Sequence, residues 1–148
     1  LMLFALADIH NSNIFLFVAA YAFATIPLVV INQFANNSSD DLNSWESIGW
    51  KNPLVGVSLV LSLFSLAGIP PLAGFFGKFS LLWSAVPHIP YTAVLALIAS
   101  VIGAFVYLRL LLLALKKPTV QVKQALTIEQ TFVLLLTSIG SIAAMYFI

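Results

Sequence analysis

The sequence contains no cysteine and very few charged side chains. Of its 148 residues, 7% are Asp, Glu, Lys or Arg, against about 25% in an average soluble domain. Without thiols, the chain forms no disulfide, no iron–sulfur cluster and no thiolate zinc site. With so few charges, it cannot cover the surface of a soluble domain, and it is too apolar to be a disordered polar segment. These shortages exclude a water-soluble globular protein.

Clustered positive charge and metal-binding side chains are also scarce. The net charge is +1, and Lys116 and Lys117 form the only basic cluster, whereas phosphate binding needs many clustered cations. We therefore expect no nucleic-acid partner. The five acidic residues all fall in or next to polar segments, and the chain has two histidines. The sequence thus predicts no metal site, and it predicts lipids as the surroundings of most of the chain.

Long apolar runs account for most of the sequence, which is 61% hydrophobic. A helix needs about 20 mostly apolar residues to cross a hydrocarbon core of about 30 Å. Four runs satisfy this requirement, and they cover residues 14–31, 54–86, 91–115 and 130–148. We predict an all-α membrane protein with four transmembrane helices, one of them discontinuous, plus the end of a fifth helix at residues 1–7. The whole chain, 1–148, is then a single membrane domain.

Two polar segments, 32–53 and 116–128, join successive spans and fall on the same side of the membrane. Four lysines lie in them, at positions 51, 116, 117 and 123. Because Lys and Arg near span ends accumulate on the inner side, this side is predicted to face the cytoplasm or the mitochondrial matrix. Amphipathic rings favour the headgroup region, and four are expected there: Trp45, Trp50, Tyr91 and Tyr107.

The second apolar run is predicted to break in its middle, at residues 68–74. Pro70 and Pro71 remove two backbone donors, and Gly68 and Gly74 flank them with unusual conformational freedom. The two halves together fit a single crossing at the α-helical rise. Backbone freed inside a membrane is tolerated only where protein or a watery cavity surrounds it. The break therefore predicts a buried site.

Lys78, shortly after the break, is the best candidate for a functional residue. It stands among aromatic and aliphatic neighbours, and burying a lysine at a helix centre costs at least about 2.5 kcal/mol. The positive end of the second half-helix lies close by. Both conditions oppose a permanently charged side chain, and a lysine that exchanges its proton can act as a relay. The alternative is that Lys78 extends along its stem to the membrane interface.

Three other ionisable residues are weaker candidates. Arg109 lies near the end of its span, where we favour an interface anchor over a role in proton transfer. His10 and His88 fall in short connections on the opposite side from the lysines, and each could titrate near neutral pH at a proton outlet. Solvated loop histidines are the simpler interpretation.

Three stretches of the sequence carry a family resemblance. The longest runs from Ser65 to Phe79, through the break and Lys78, and shorter ones cover 52–54 and 100–110. These stretches strongly resemble the C-terminal part of NADH dehydrogenase subunit 2, the N-type antiporter-like subunit of respiratory complex I. The form of 100–110 is typical of mitochondrial versions. Hydropathy alone extends the likeness over the last 20 or so residues.

The resemblance implies a non-redox subunit of a proton-translocating NADH:ubiquinone oxidoreductase, with Lys78 as the terminal relay of a file of buried lysines and a glutamate. The other members of that file have no counterpart in this sequence. The resemblance therefore implies a C-terminal portion that works with a separate N-terminal fragment and other membrane-arm subunits. NADH, FMN, iron–sulfur clusters and ubiquinone would be bound by other subunits, so we expect no catalytic centre and no cofactor in this chain.

The implied location is the mitochondrial inner membrane, with the bacterial plasma membrane as the alternative. Two other functions stay open at this point. The chain could belong to a cation/proton antiporter complex, or it could be a purely structural membrane subunit in which Lys78 only holds helices together.

Overall fold

The computed structural model describes residues 11–35, 45–70, 72–87, 90–118 and 125–143. Within these residues the chain is helical, with turns and short connections and no strand, as the sequence predicts for an all-α protein. The helices of this part of the chain are α1 (Asn11–Ala35), α2 (Ile48–Lys51), α3 (Pro53–Ala67), α4 (Ala73–Ala85), α5 (Pro90–Ala114) and α6 (Ile128–Ala143).

Helix α3 is bounded by residues whose chemistry favours the start and the end of a helix. The side chain of Asn52 accepts a hydrogen bond from the Leu54 amide at 2.9 Å, and Pro53 occupies the first turn, where a missing amide hydrogen costs nothing. At the other end, Gly68 adopts a φ of 79°. Its amide and that of Ile69 donate to the Phe64 carbonyl, each at 3.0 Å, which satisfies the last turn of the helix.

The second apolar run contains two helices, because α3 ends at Ala67 and α4 begins at Ala73. Pro70 is exposed in the connection, and Pro71 lies outside the described residues. Gly74 packs directly on α3: a Cβ atom there would overlap the Ser65 carbonyl group. The Gly74 amide donates to the Ser65 hydroxyl at 3.1 Å. This contact binds the first turn of α4 to the last turn of α3.

The short helix α2 closes the C-terminal end of α5. The amide of Ser47 donates to the Leu113 carbonyl at 3.3 Å, its hydroxyl donates to the Lys116 carbonyl at 2.6 Å, and the indole of Trp50 donates to the Leu115 carbonyl at 2.8 Å. Helix ends leave such carbonyls without partners inside the helix. The Ser47–Trp50 segment therefore supplies side-chain and backbone donors to the end of α5.

Helix α3 lies at the centre of the packing, in contact with α1, α2, α4, α5 and α6. Its inner face combines apolar side chains with three buried serines, Ser58, Ser62 and Ser65. Ser58 shares a hydrogen bond of 2.9 Å with Ser138 of α6. The main buried cluster contains Ile31, Phe34, Ile48, Val55, Leu59, Leu63, Leu111, Ala114 and Leu134.

The predicted spans and the helices differ mainly at their ends. Helix α1 extends beyond 14–31 on both sides, because polar residues continue its backbone hydrogen bonding. Helix α6 begins at Ile128, and residues 144–148 lie outside the described part. Among the described residues, Phe17–Ala35 and Pro90–Ala114 are long and apolar enough to cross a membrane, while Pro53–Ala67 and Ile128–Ala143 are shorter apolar helices. The predicted number of four crossings stays a prediction.

Candidate functional site

Lys78 lies in the second turn of α4, beside the end of α3. Its side chain is 7% exposed, so the chain's own atoms surround it. Our sequence argument placed it near the first turn, but α4 begins at Ala73. The field of a helix terminus falls off within one turn, and the N-terminus of α4 therefore acts on Lys78 less than we expected.

Two neutral groups contact the Lys78 ammonium. Its Nζ donates a hydrogen bond to the backbone carbonyl of Leu66 in the last turn of α3. On α1, the ring of Tyr21 has its centroid 5.9 Å from Nζ, within the range of a cation–π interaction. A carbonyl dipole and an aromatic face both attract a cation without carrying a full negative charge. They favour the protonated lysine without holding it in a permanent ion pair.

The ends of two helices meet at Lys78 with opposite partial charges. The C-terminus of α3, which carries partial negative charge, provides the Leu66 carbonyl, and the N-terminus of α4, which carries partial positive charge, lies one turn away. Because the α4 terminus is one turn away, the partial negative charge at the end of α3 acts on the ammonium more strongly. The break in the apolar run thus brings a helix C-terminus to the lysine, which a continuous helix would not provide.

Gly68 makes room for the lysine side chain. A Cβ atom at this position would lie 3.3 Å from Lys78 Cδ and 3.6 Å from Nζ. On the side of α5, Lys78 borders a cleft of about 210 Å³. Its lining includes the polar side chain of Ser100 among apolar residues. The cleft is large enough for water molecules.

Tyr107 of α5 is half-buried, as is Tyr21 of α1. The Tyr107 ring packs against the main buried cluster. Our expectation that Tyr107 lies near the membrane interface stays a prediction.

The remaining candidates do not join this site in the described structure. Arg109 is exposed on α5, close to its end at Ala114, as an anchor would be. His10 and His88 lie outside the described residues, as does Pro71. Among the residues described here, no group of three or more His, Asp or Glu side chains is arranged to hold a metal ion.

The helices and their composition define the class of the molecule. Apolar helices long enough to span a bilayer, exposed along much of their length, belong to an integral membrane protein. The family model described as "NADH:quinone oxidoreductase/Mrp antiporter, TM" matches residues 1–103. The chain belongs to this family, and the resemblance read from its sequence is confirmed.

Three relatives illustrate the similarity. The chain is 36% identical to NAD(P)H-quinone oxidoreductase subunit 2 of Gloeobacter violaceus over 75% of its length. It is 37% identical to NADH-quinone oxidoreductase subunit N of Cytophaga hutchinsonii over 74%, and 35% identical to the subunit N of Pelobacter propionicus over 83%. The matched regions are 22%, 25% and 27% of those proteins, so the chain spans about a quarter of the length of these relatives.

Sequence reasoning singled out Lys78 but missed its partners. Leu66 contributes a backbone carbonyl, which no side-chain pattern reveals. Tyr21 lies 57 positions earlier, in another helix. The available signal was that a tyrosine and a lysine occur inside apolar runs, where each polar group needs a partner.

Proposed function

We propose that this chain forms part of a membrane-arm subunit of an NADH:quinone oxidoreductase, complex I, and that Lys78 relays protons there. The redox chemistry of NADH, FMN, iron–sulfur clusters and ubiquinone belongs in other subunits, and this chain contributes no redox centre. The named relatives are quinone oxidoreductase subunits, which favours complex I over the antiporter complexes that share the family model.

The observation that carries the proposal is the contact set of Lys78. Its ammonium is buried and meets a carbonyl and an aromatic ring, partners that favour the cation yet release a neutral amine without leaving a buried anion behind. A lysine paired with a buried carboxylate would instead leave an uncompensated buried charge when it lost its proton. The cleft toward Ser100 gives this site room for water.

In the proposed membrane arrangement, α1, the pair α3 and α4, α5 and α6 make four crossings. The 15 residues of α3 and the 13 of α4 measure about 22 Å and 20 Å at 1.5 Å per residue. End to end with an inclined junction, they cover a hydrocarbon core of about 30 Å. The proposed location is the mitochondrial inner membrane or, in agreement with the bacterial relatives, a bacterial plasma membrane.

The proposed partners are the other membrane-arm subunits and the remaining helices of an antiporter-like subunit. Such helices can belong to the same polypeptide or to a separate N-terminal fragment. Support comes from the apolar surface: Phe79 and Trp83 of α4 and most of α5 are exposed, and lipid or neighbouring helices must cover them. Mass spectrometry of the complex purified through this chain would identify the proteins bound to it.

The test is to replace Lys78 by Arg and by Met in the assembled complex. Arginine keeps the charge but stays protonated, and methionine removes the proton carrier. We expect both variants to lower proton pumping by at least about tenfold, the scale of a lost proton-transfer group. Pumping and NADH:quinone turnover in sealed membrane vesicles are the measurements. Lys117→Arg and Lys117→Met, at an exposed lysine, are the matched controls.

Normal pumping by Lys78→Arg would refute the relay. Loss of the assembled complex on a native gel with Lys78→Met, together with full pumping by Lys78→Arg, would support a purely structural role. Sodium-dependent proton exchange without NADH-linked turnover would identify an antiporter complex instead.

A further inference from the structure

An apolar groove lies on the surface of the molecule where α2, the start of α3 and the end of α5 meet. Its volume is about 350 Å³, and its walls include Trp50, Val57, Leu61 and Leu115. Trp50 is 49% exposed and Val57 is 56% exposed. The groove is therefore open to whatever surrounds the chain in the membrane.

Backbone contacts and a hydrogen-bonded ring fix the shape of this groove. Gly49 of α2 and Gly56 of α3 both line it, and a Cβ atom on Gly56 would lie 2.6 Å from the Gly49 carbonyl oxygen. The backbones of the two helices therefore touch at this point. The indole of Trp50 is held by its hydrogen bond of 2.8 Å to the Leu115 carbonyl. The groove is thus preformed.

The groove is elongated along α3. Its lining extends from Pro53 to Leu61 on this helix, a distance of about 12 Å at 1.5 Å per residue. Pro53 adjoins the polar segment before α3, and Leu61 lies inside the second apolar run. A groove that starts at the polar end and continues into the apolar region has the orientation of an acyl chain that hangs from the membrane interface.

Two lysines stand at the polar end of the groove. Lys51 directly follows Trp50 in the chain. Lys116 directly follows Leu115, so each lysine has its Cα about 3.8 Å from that of a lining residue. The Lys116 ammonium pairs with Glu46 at 2.7 Å, whereas no described residue forms an ion pair with Lys51. These three side chains sum to one positive charge, which complements a headgroup with one negative charge.

We propose that the groove binds an acyl chain of an anionic phospholipid whose phosphate lies beside Lys51 and Lys116. Basic residues next to clefts between helices on the cytoplasmic or matrix side are typical partners of anionic headgroups, and the lysine count predicts that side for this end of the chain. The ring of Trp50 then lies at the headgroup level, where tryptophan is favoured. This site shares no residue with the site of Lys78, and neither proposal depends on the other.

The experiment uses two photoreactive lipids with the same diazirine-labelled acyl chain, one a phosphatidylglycerol and the other a phosphatidylcholine. Each is mixed into vesicles that contain the complex purified through this chain. After irradiation, mass spectrometry identifies the peptides that carry a lipid adduct. We expect phosphatidylglycerol to label peptides within residues 49–61 about fivefold more than phosphatidylcholine, the effect of one uncompensated lysine near an anionic headgroup.

Two pairs of variants separate the acyl-chain site from the headgroup site. Val57→Trp fills the groove and should lose most of the label from both lipids. Val106→Trp, at a position of α5 that is 58% exposed and outside the groove, is the matched control and should keep it. Lys51→Gln should lose the preference for phosphatidylglycerol while still being labelled. Lys51→Arg keeps the charge and should keep the preference.

Equal labelling by the two lipids in the unmodified chain would identify ordinary boundary lipid and overturn the proposal. No adduct within residues 49–61 from either lipid would show that a neighbouring protein fills the groove, and would overturn it as well. If Val57→Trp does not assemble, the ratio of the two labels in Lys51→Gln decides the question.

Discussion

Gly68 meets two structural requirements, one of backbone conformation and one of space. Its φ of 79° lies in the left-handed region, where a residue with a Cβ atom is strained by about 1–2 kcal/mol. The same Cβ would also come within 3.3 Å of the Lys78 side chain. The glycine therefore ends α3 and leaves the space into which the lysine extends.

We predict that Gly68→Ala destabilises the protein by about 1–2 kcal/mol and displaces the Lys78 side chain. The expected result is a lower melting temperature of the purified complex together with reduced proton pumping. Gly103→Ala is the control, since a Cβ there would lie 4.0 Å from Tyr107 Cε2, an ordinary van der Waals contact. Equal melting temperatures for the two variants would contradict this account.

The sequence was sufficient to select Lys78 and Gly68, because both signals are local. A lysine in an apolar run and a glycine before two prolines are visible without tertiary structure. The Leu66 carbonyl and the ring of Tyr21 were out of reach, because their positions depend on how α1 and α3 pack against α4.

The α2 segment supplies hydrogen-bond donors to the C-terminal end of α5. The last carbonyls of a helix need donors from outside the helix, and Ser47 and Trp50 provide them for Leu113, Leu115 and Lys116. Ser47 adopts a φ of 62°, uncommon for a residue with a side chain. Packing and hydrogen bonds around it offset this strain.

We predict that Trp50→Phe weakens this closure by about 1 kcal/mol, the net contribution of a typical hydrogen bond. The amides at the end of α5 should then exchange with deuterium about fivefold faster, as measured by mass spectrometry of peptides containing residues 111–118. Trp83→Phe is the control. Trp83 lies in α4, away from this contact, and stacks on Phe79 of the same helix with ring centroids 5.9 Å apart. Unchanged exchange in Trp50→Phe would show that the indole hydrogen bond contributes nothing to the closure.

Helix ends were predictable where capping chemistry marks them. Asn52, Pro53 and Gly68 delimit α3 as the sequence indicates. The ends of α1 were not predictable from hydropathy, because Asn11 and Asn32 are polar residues that still continue the helix. The length of an apolar run reflects the thickness of the membrane, whereas a helix ends where its backbone hydrogen bonds end.

At the scale of the whole molecule, burial is uneven. The main cluster of buried residues surrounds the part of α3 nearest Pro53, and a smaller one near Lys78 contains Leu81 and Ala93. Along its length α5 is mostly exposed and apolar. A surface of this kind is stable in lipid or against other helices, and this agrees with a piece of a larger membrane assembly.

We predict that Lys117 faces the cytoplasm or matrix and Tyr91 the opposite side. Because the sequence has no native cysteine, Lys117→Cys and Tyr91→Cys each introduce a unique thiol at an exposed site. A membrane-impermeant maleimide added to intact, right-side-out vesicles should label the Tyr91→Cys protein alone. The Lys117→Cys protein should react only after permeabilisation. The opposite pattern would invert the proposed topology.

The junction between α3 and α4 also has a mechanical consequence. Among the described residues of the junction, two hydrogen bonds join the half-helices, from the Gly74 amide to the Ser65 hydroxyl and from Lys78 to the Leu66 carbonyl. The first starts from a backbone amide, and the second starts from the end of a long, rotatable side chain. In the proposed relay, a turn of Lys78 toward the Ser100 cleft would break the second hydrogen bond. The first would then hold the angle between the half-helices with less support.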